Sequence, residues 1–241
     1  MKSSNPIFNE EGFKKAAEMQ AASTQPMTIS GAVNKSFTLL FICFIGALLS
    51  WSRPEPLLPW IWPISIGAFV IAMIVIFNKR TAPMLAPIYA FGQGIAVGLI
   101  SLAYAQQYAG IVYQALGVSM TVFFIMLVLY KTRIIKVTSM VKSVIVAATA
   151  GVAVFYIIGM IMMLFGANWF YLSATPLSIG VSVVVCLIAA FNLLLDFDFI
   201  ENAARYNMPK YMEWYAAFGL LITLIWMYLE ILRLLGKLQR R

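Results

Sequence analysis

Residues 175–200 read Thr175-Pro-Leu-Ser-Ile-Gly-Val-Ser-Val-Val-Val-Cys-Leu-Ile-Ala-Ala-Phe-Asn-Leu-Leu-Leu-Asp-Phe-Asp-Phe-Ile200. No charge interrupts the run before Asp196. Its apolar residues are continuous and do not alternate, so it reads as a helix and not as a barrel strand. About 20 such residues cross a hydrocarbon core of about 30 Å. In lipid, backbone polar groups must be satisfied internally, which a helix does. The fold class is therefore all-α and membrane-spanning, and three acids, Asp196, Asp198 and Glu201, crowd one end of this span.

The rest of the chain agrees. Of its 241 residues, 62% are hydrophobic and 11% charged, more apolar than any soluble domain needs. Further apolar runs are expected near residues 37–51, 58–77, 83–104, 111–130, 143–165 and 212–235. With 175–200 they make seven spans, residues 37–241 forming one seven-helix transmembrane domain. Residues 1–36 are polar and mixed in charge. They read as a cytoplasmic tail with a short helix near residues 10–20, and without the pattern of a secretory leader.

The net charge of +8 lies between the apolar runs. There it sets topology and meets anionic headgroups, so no nucleic-acid partner is expected. With the N-terminus cytoplasmic, twelve of the 17 Lys and Arg fall inside and five outside. Arg233, Lys237, Arg240 and Arg241 dissent at the C-terminus. The chain is expected to cross a membrane several times, with the lipid bilayer as the constant partner.

There is no histidine, and Cys43 and Cys186 lie inside apolar runs. His-ligated metals, Ser-His-Asp triads and a disulfide framework are excluded. Nucleotide-binding and metalloprotease motifs are also absent. No enzyme activity and no resident cofactor are expected.

Carboxylates in a membrane span ask for a reason. Asp198 and Glu201 are about 60° apart on a helix and share a face. Asn192 and Asp196, at i and i+4, stack on another. The acids either line an ion path or meet water where the helix ends. Gln93, inside the third run, bonds a neighbouring helix or lines a polar path. Glu230 is within i,i+3 reach of Arg233, as an interfacial ion pair or as a polar group facing the bundle interior. Gly94 and Gly98, extended by Ala90, form a small-residue packing face, and Ala147 with Gly151 form another.

Together, several stretches resemble the bacterial branch of the Bax inhibitor family. They are Asn5-Pro-Ile-Phe8, Met27-Thr-Ile-Ser-Gly-Ala-Val-Asn-Lys-Ser36, Ala86-Pro-Ile-Tyr-Ala-Phe-Gly-Gln-Gly94, Tyr130-Lys-Thr-Arg133, Leu195-Asp-Phe-Asp-Phe-Ile200 and Leu229-Glu-Ile-Leu-Arg-Leu-Leu-Gly236. The resemblance implies six helices around a central, most buried seventh. It also implies an Asp pair that shares a proton, held by an Arg on the second helix, gating a cation path for calcium. The first Asp falls on Asp196. The second falls on position 223, which holds Thr. Only Lys79 or Arg80 could serve as the basic latch. The implied function is a pH-sensitive cation leak gated around Asp196, with calcium a transient passenger. The alternative is a non-conducting stress regulator that binds another membrane protein, such as a quality-control protease.

Overall fold

The computed structural model describes residues 26–240, and the short helix expected near residues 10–20 lies outside them. Seven of the described helices are long and apolar enough to cross a membrane. They are α1 (Ile29–Ser52), α2 (Ile61–Phe77), α3 (Ala82–Gln107), α4 (Ile111–Lys131), α5 (Ser139–Leu164), α6 (Pro176–Arg205) and α7 (Met212–Gln239). Single 3-10 turns, Leu58–Trp60 and Lys79–Thr81, lead into α2 and α3.

Two boundaries differ from the expected ones in a way that matters. α1 starts at Ile29 and not near residue 37. The Thr28 side chain caps it by accepting the Gly31 N–H at 2.9 Å, so the polar residues Asn34, Lys35 and Ser36 are already helical. α6 continues to Arg205, so Asp196, Asp198 and Glu201 lie within the helix and not at its end.

α3 and α7 are the most buried spans, each with 56% of its apolar window inside the protein, against 17% for α2 and α5. The seventh helix, expected to be the most buried, shares that place with the third. Exposed Phe37, Phe41, Trp62, Phe69 and Phe165 present the apolar surface that lipid requires.

The chain forms two packing units, Met1–Leu102 with Asp196–Ile222, and Ala103–Leu195 with Thr223–Arg241. In the first, α1 buries Ala32, Ser36, Leu39, Cys43, Gly46 and Ser50 along one stripe. That stripe meets α3 through glycines. A Cβ on Gly94 would overlap the Cys43 carbonyl, one on Gly98 the Ser50 hydroxyl, and one on Gly46 would meet the Phe91 carbonyl. The Gly94–Gly98 face is thus used for close packing inside the chain. Met27, Ala32, Ile200, Ala203, Met208, Met212 and Ala216 form a core at the start of α7.

In the second unit, Phe155, Tyr156, Trp169, Phe170 and Tyr171 make an aromatic cluster between α5 and the loop that follows it. Gly159 makes room for the Trp169 ring, which any Cβ there would strike. Ala147 and Gly151 do not form the expected packing face. Both are exposed, and no described residue comes within 4 Å of where a Cβ on Gly151 would stand. Among the described residues, the small-residue spacing there meets no close helix neighbour.

Candidate functional site

In the first unit the α6 acids face protein more than water. Asp198 is 8% exposed, and Asn202, one turn on, donates to its Oδ2 at 2.8 Å and to its backbone carbonyl at 2.8 Å. Asp196 and Glu201 are half-buried, and Phe197 and Ile200 beside them are buried. Asp196 lies over Gly219 of α7, where an added Cβ would stand 3.7 Å from its Oδ1. An alanine there would still fit, so the contact places α7 beside this carboxylate without requiring a glycine. Asp196 Oδ2 is a buried atom that accepts no hydrogen bond among the described residues, while the side chain interacts elsewhere.

The other expected site residues are placed as follows. Position 223 is a buried Thr. The Asn192 amide turns to α5, donating to Thr149 Oγ1 at 2.7 Å and to the Ile188 carbonyl at 2.8 Å. The i,i+4 geometry with Asp196 is real on the helix, but the Asn192 amide protons go to α5 and to its own helix. Gln93 donates to the Tyr89 hydroxyl at 3.1 Å, one turn back on its own helix. The Tyr89 ring in turn packs edge-on to Phe218. Lys79 sets its ammonium 5.2 Å from the centre of the Tyr215 ring, and Arg80 is exposed.

The second unit contains a single acid, Glu230, against eight Lys and Arg. Glu230 is 2% exposed. The Tyr156 hydroxyl donates to its Oε1 at 2.5 Å, the Tyr171 hydroxyl to its Oε2 at 2.7 Å, and Arg233 to its Oε1 at 2.7 Å. Glu230 is ion-paired with Arg233 and buried inside the protein. Arg233 also donates to the Tyr156 hydroxyl at 3.2 Å and stacks over Tyr171. Burial, and next the charge of Glu230, push the Tyr171 phenol above its ordinary range, which keeps it a donor.

A further acid, Glu213, did not stand out in the sequence. It is 2% exposed and accepts from both the N–H and the hydroxyl of Thr28, at 3.1 and 3.2 Å. An ordinary capping box takes its acid from the third residue of the same helix. Here that residue is Gly31, and a Cβ on it would fall on the Glu213 carboxylate. The acid comes from α7 instead. The Met27 N–H donates to the Met208 carbonyl at 2.7 Å and fastens the same junction. Glu213→Gln keeps an acceptor but loses the charge. It should cost about 0.5–1.5 kcal/mol, read as a lower midpoint of unfolding in detergent. An unchanged midpoint would mean the charge adds nothing to this cap.

Tyr156, Tyr171 and Glu213 are the residues of these buried clusters that sequence reasoning missed. A family model described as Bax inhibitor 1 like matches residues 5–240. A search of curated proteins finds no match. Nearly the whole chain is covered, from the first polar residues to the end of α7, and the protein belongs to the Bax inhibitor family.

Proposed function

We propose that this protein is a pH-sensitive cation leak of the Bax inhibitor type, gated by carboxylate protonation around Asp196, with calcium as the cation to test first. The carrying observation is the placement of Asp196 and Asp198 inside a membrane-spanning helix, half-buried and buried, with Asp196 over Gly219 of α7. A carboxylate at such a position is stable in its charged form only with solvation from water, a cation or protein donors. Adding a proton removes that demand, so α6 and α7 can pack differently in the two protonation states. The family membership supports the same reading. On it the protein is not an enzyme and has no resident cofactor, and its N-terminus lies on the cytoplasmic side of a bacterial inner membrane.

The test is calcium entry into dye-loaded proteoliposomes across acid to neutral pH. Wild type should leak with a pH-dependent rate, and Asp196→Asn should flatten that dependence. Flux no greater than that of empty vesicles at every pH would sink the channel reading.

One observation favours the second reading, a non-conducting regulator that binds another membrane protein such as a quality-control protease. Position 223, where the resemblance places the second Asp, is a buried Thr. A chain lacking residues 1–25 should then fail to co-purify with that partner while its seven helices still fold. Undiminished co-purification would count against it.

A further inference from the structure

Lys237 lies in the last turn of α7 and is 3% exposed. Its ammonium donates to Ser182 Oγ at 2.7 Å and to the Ser178 carbonyl at 3.4 Å. It also stands 3.6 Å from the centre of the Tyr171 ring. An ammonium has three protons. A hydroxyl oxygen, a carbonyl oxygen and an aromatic face are here to receive them. The carbonyl end of α7 adds negative potential at the same place. These are the groups that replace water around a monovalent cation.

None of these neighbours carries a formal charge. The one acid of the unit, Glu230, is held by Arg233 at 2.7 Å, so Glu230, Arg233 and Lys237 together leave one positive charge in excess. Buried ammonium without a carboxylate is costly unless its surroundings solvate it. Tyr171 is shared between the two groups. Its hydroxyl serves Glu230 and its ring serves Lys237, and Ser178 Oγ fixes the Tyr171 backbone by donating to its carbonyl at 2.8 Å. Tyr171 is therefore held in place by bonds that do not involve Lys237.

We infer that Tyr171, Ser178, Ser182 and the last turn of α7 form a binding site for a monovalent cation of the ammonium type, which the chain fills with its own Lys237. The site is independent of the α6 acids and of whether any ion crosses the membrane. Its ligand class is a primary ammonium, tethered in the native chain and free when the tether is removed.

Lys237→Ala leaves a space with the shape of n-propylammonium. The purified full-length variant should melt below wild type, and its melting temperature should climb with n-propylammonium chloride as mass action requires. Wild type, whose site is filled, should not respond. 1-Propanol at the same concentration and ionic strength should restore little, since it fills the space without the charge. Equal recovery by 1-propanol, an equal response of wild type, or no response of the variant to the ammonium would each overturn the proposal. Should Lys237→Ala not fold, Lys237→Met carries the test, because it keeps an apolar stem and removes the ammonium with its charge and donors. A melting temperature at or above wild type would then overturn the proposal, and one well below it would support it.

Discussion

Glu230→Ala is expected to destabilise the folded protein by up to about 3–5 kcal/mol, the cost of breaking a fully buried ion pair from one side, because Glu230 is buried while Arg233 keeps 29% of its side chain exposed. The variant deprives three donors at once. Arg233 loses its carboxylate, and the hydroxyls of Tyr156 and Tyr171 lose the acceptor they share. No other Asp or Glu lies in this packing unit to take over. A stability difference of that size far exceeds the value of an exposed i,i+3 pair, which is about 0.2–0.5 kcal/mol. The measurement is unfolding of the purified chain in mixed detergent, followed by loss of helical signal. The control is Glu230→Leu combined with Arg233→Leu. Removing both charges leaves no unpaired guanidinium, so the double variant should be more stable than Glu230→Leu alone. A single variant as stable as the double would show that Arg233 reaches solvent or lipid headgroups at no cost, and the buried-pair account would fail.

The seven spans were legible because each is a local apolar run, and length and hydropathy need no knowledge of partners. The Glu230–Arg233 pair was legible for the same reason, since both lie on one helix three residues apart. What surrounds it was not. Tyr156 and Tyr171 are 74 and 59 residues away from Glu230 along the chain, and nothing in their neighbourhoods marks them as its donors. Asn192 shows the opposite failure. The i,i+4 rule paired it with Asp196, but its amide found Thr149, 43 residues away. Glu213 and Thr28 are separated by 185 residues, so the α1 cap was visible only in its Thr half. Lys237 counted in the sequence as one more terminal cation beside Arg233, Arg240 and Arg241. A tally of charge by side cannot show that one of them is enclosed. The early start of α1 was hidden because Asn34-Lys35-Ser36 breaks the apolar run without breaking the helix.

Gly94→Ala should destabilise the protein by about 1–3 kcal/mol, although alanine is the better helix former. Two terms oppose each other. In a helix interior, replacing Gly by Ala gains about 1 kcal/mol of propensity. Against this, the new Cβ would overlap the backbone carbonyl of Cys43, with the Cys43 carbonyl carbon and Cα close behind it. Backbone atoms cannot rotate aside as a side-chain tip can, so α1 must move away from α3. Separation would also loosen the contacts of Gly98 with Ala47 and Ser50 and of Gly46 with Phe91. The clash therefore outweighs the propensity gain. Gly151→Ala supplies the matched comparison, since the same substitution on α5 meets open space within 4 Å. It should be neutral or stabilising by up to about 1 kcal/mol. Measured side by side in one detergent, Gly94→Ala should lower the unfolding midpoint and Gly151→Ala should not. If Gly94→Ala matched Gly151→Ala, the small-residue spacing on α3 would be incidental. The close approach of α1 and α3 would then have to be held by something other than the missing side chain.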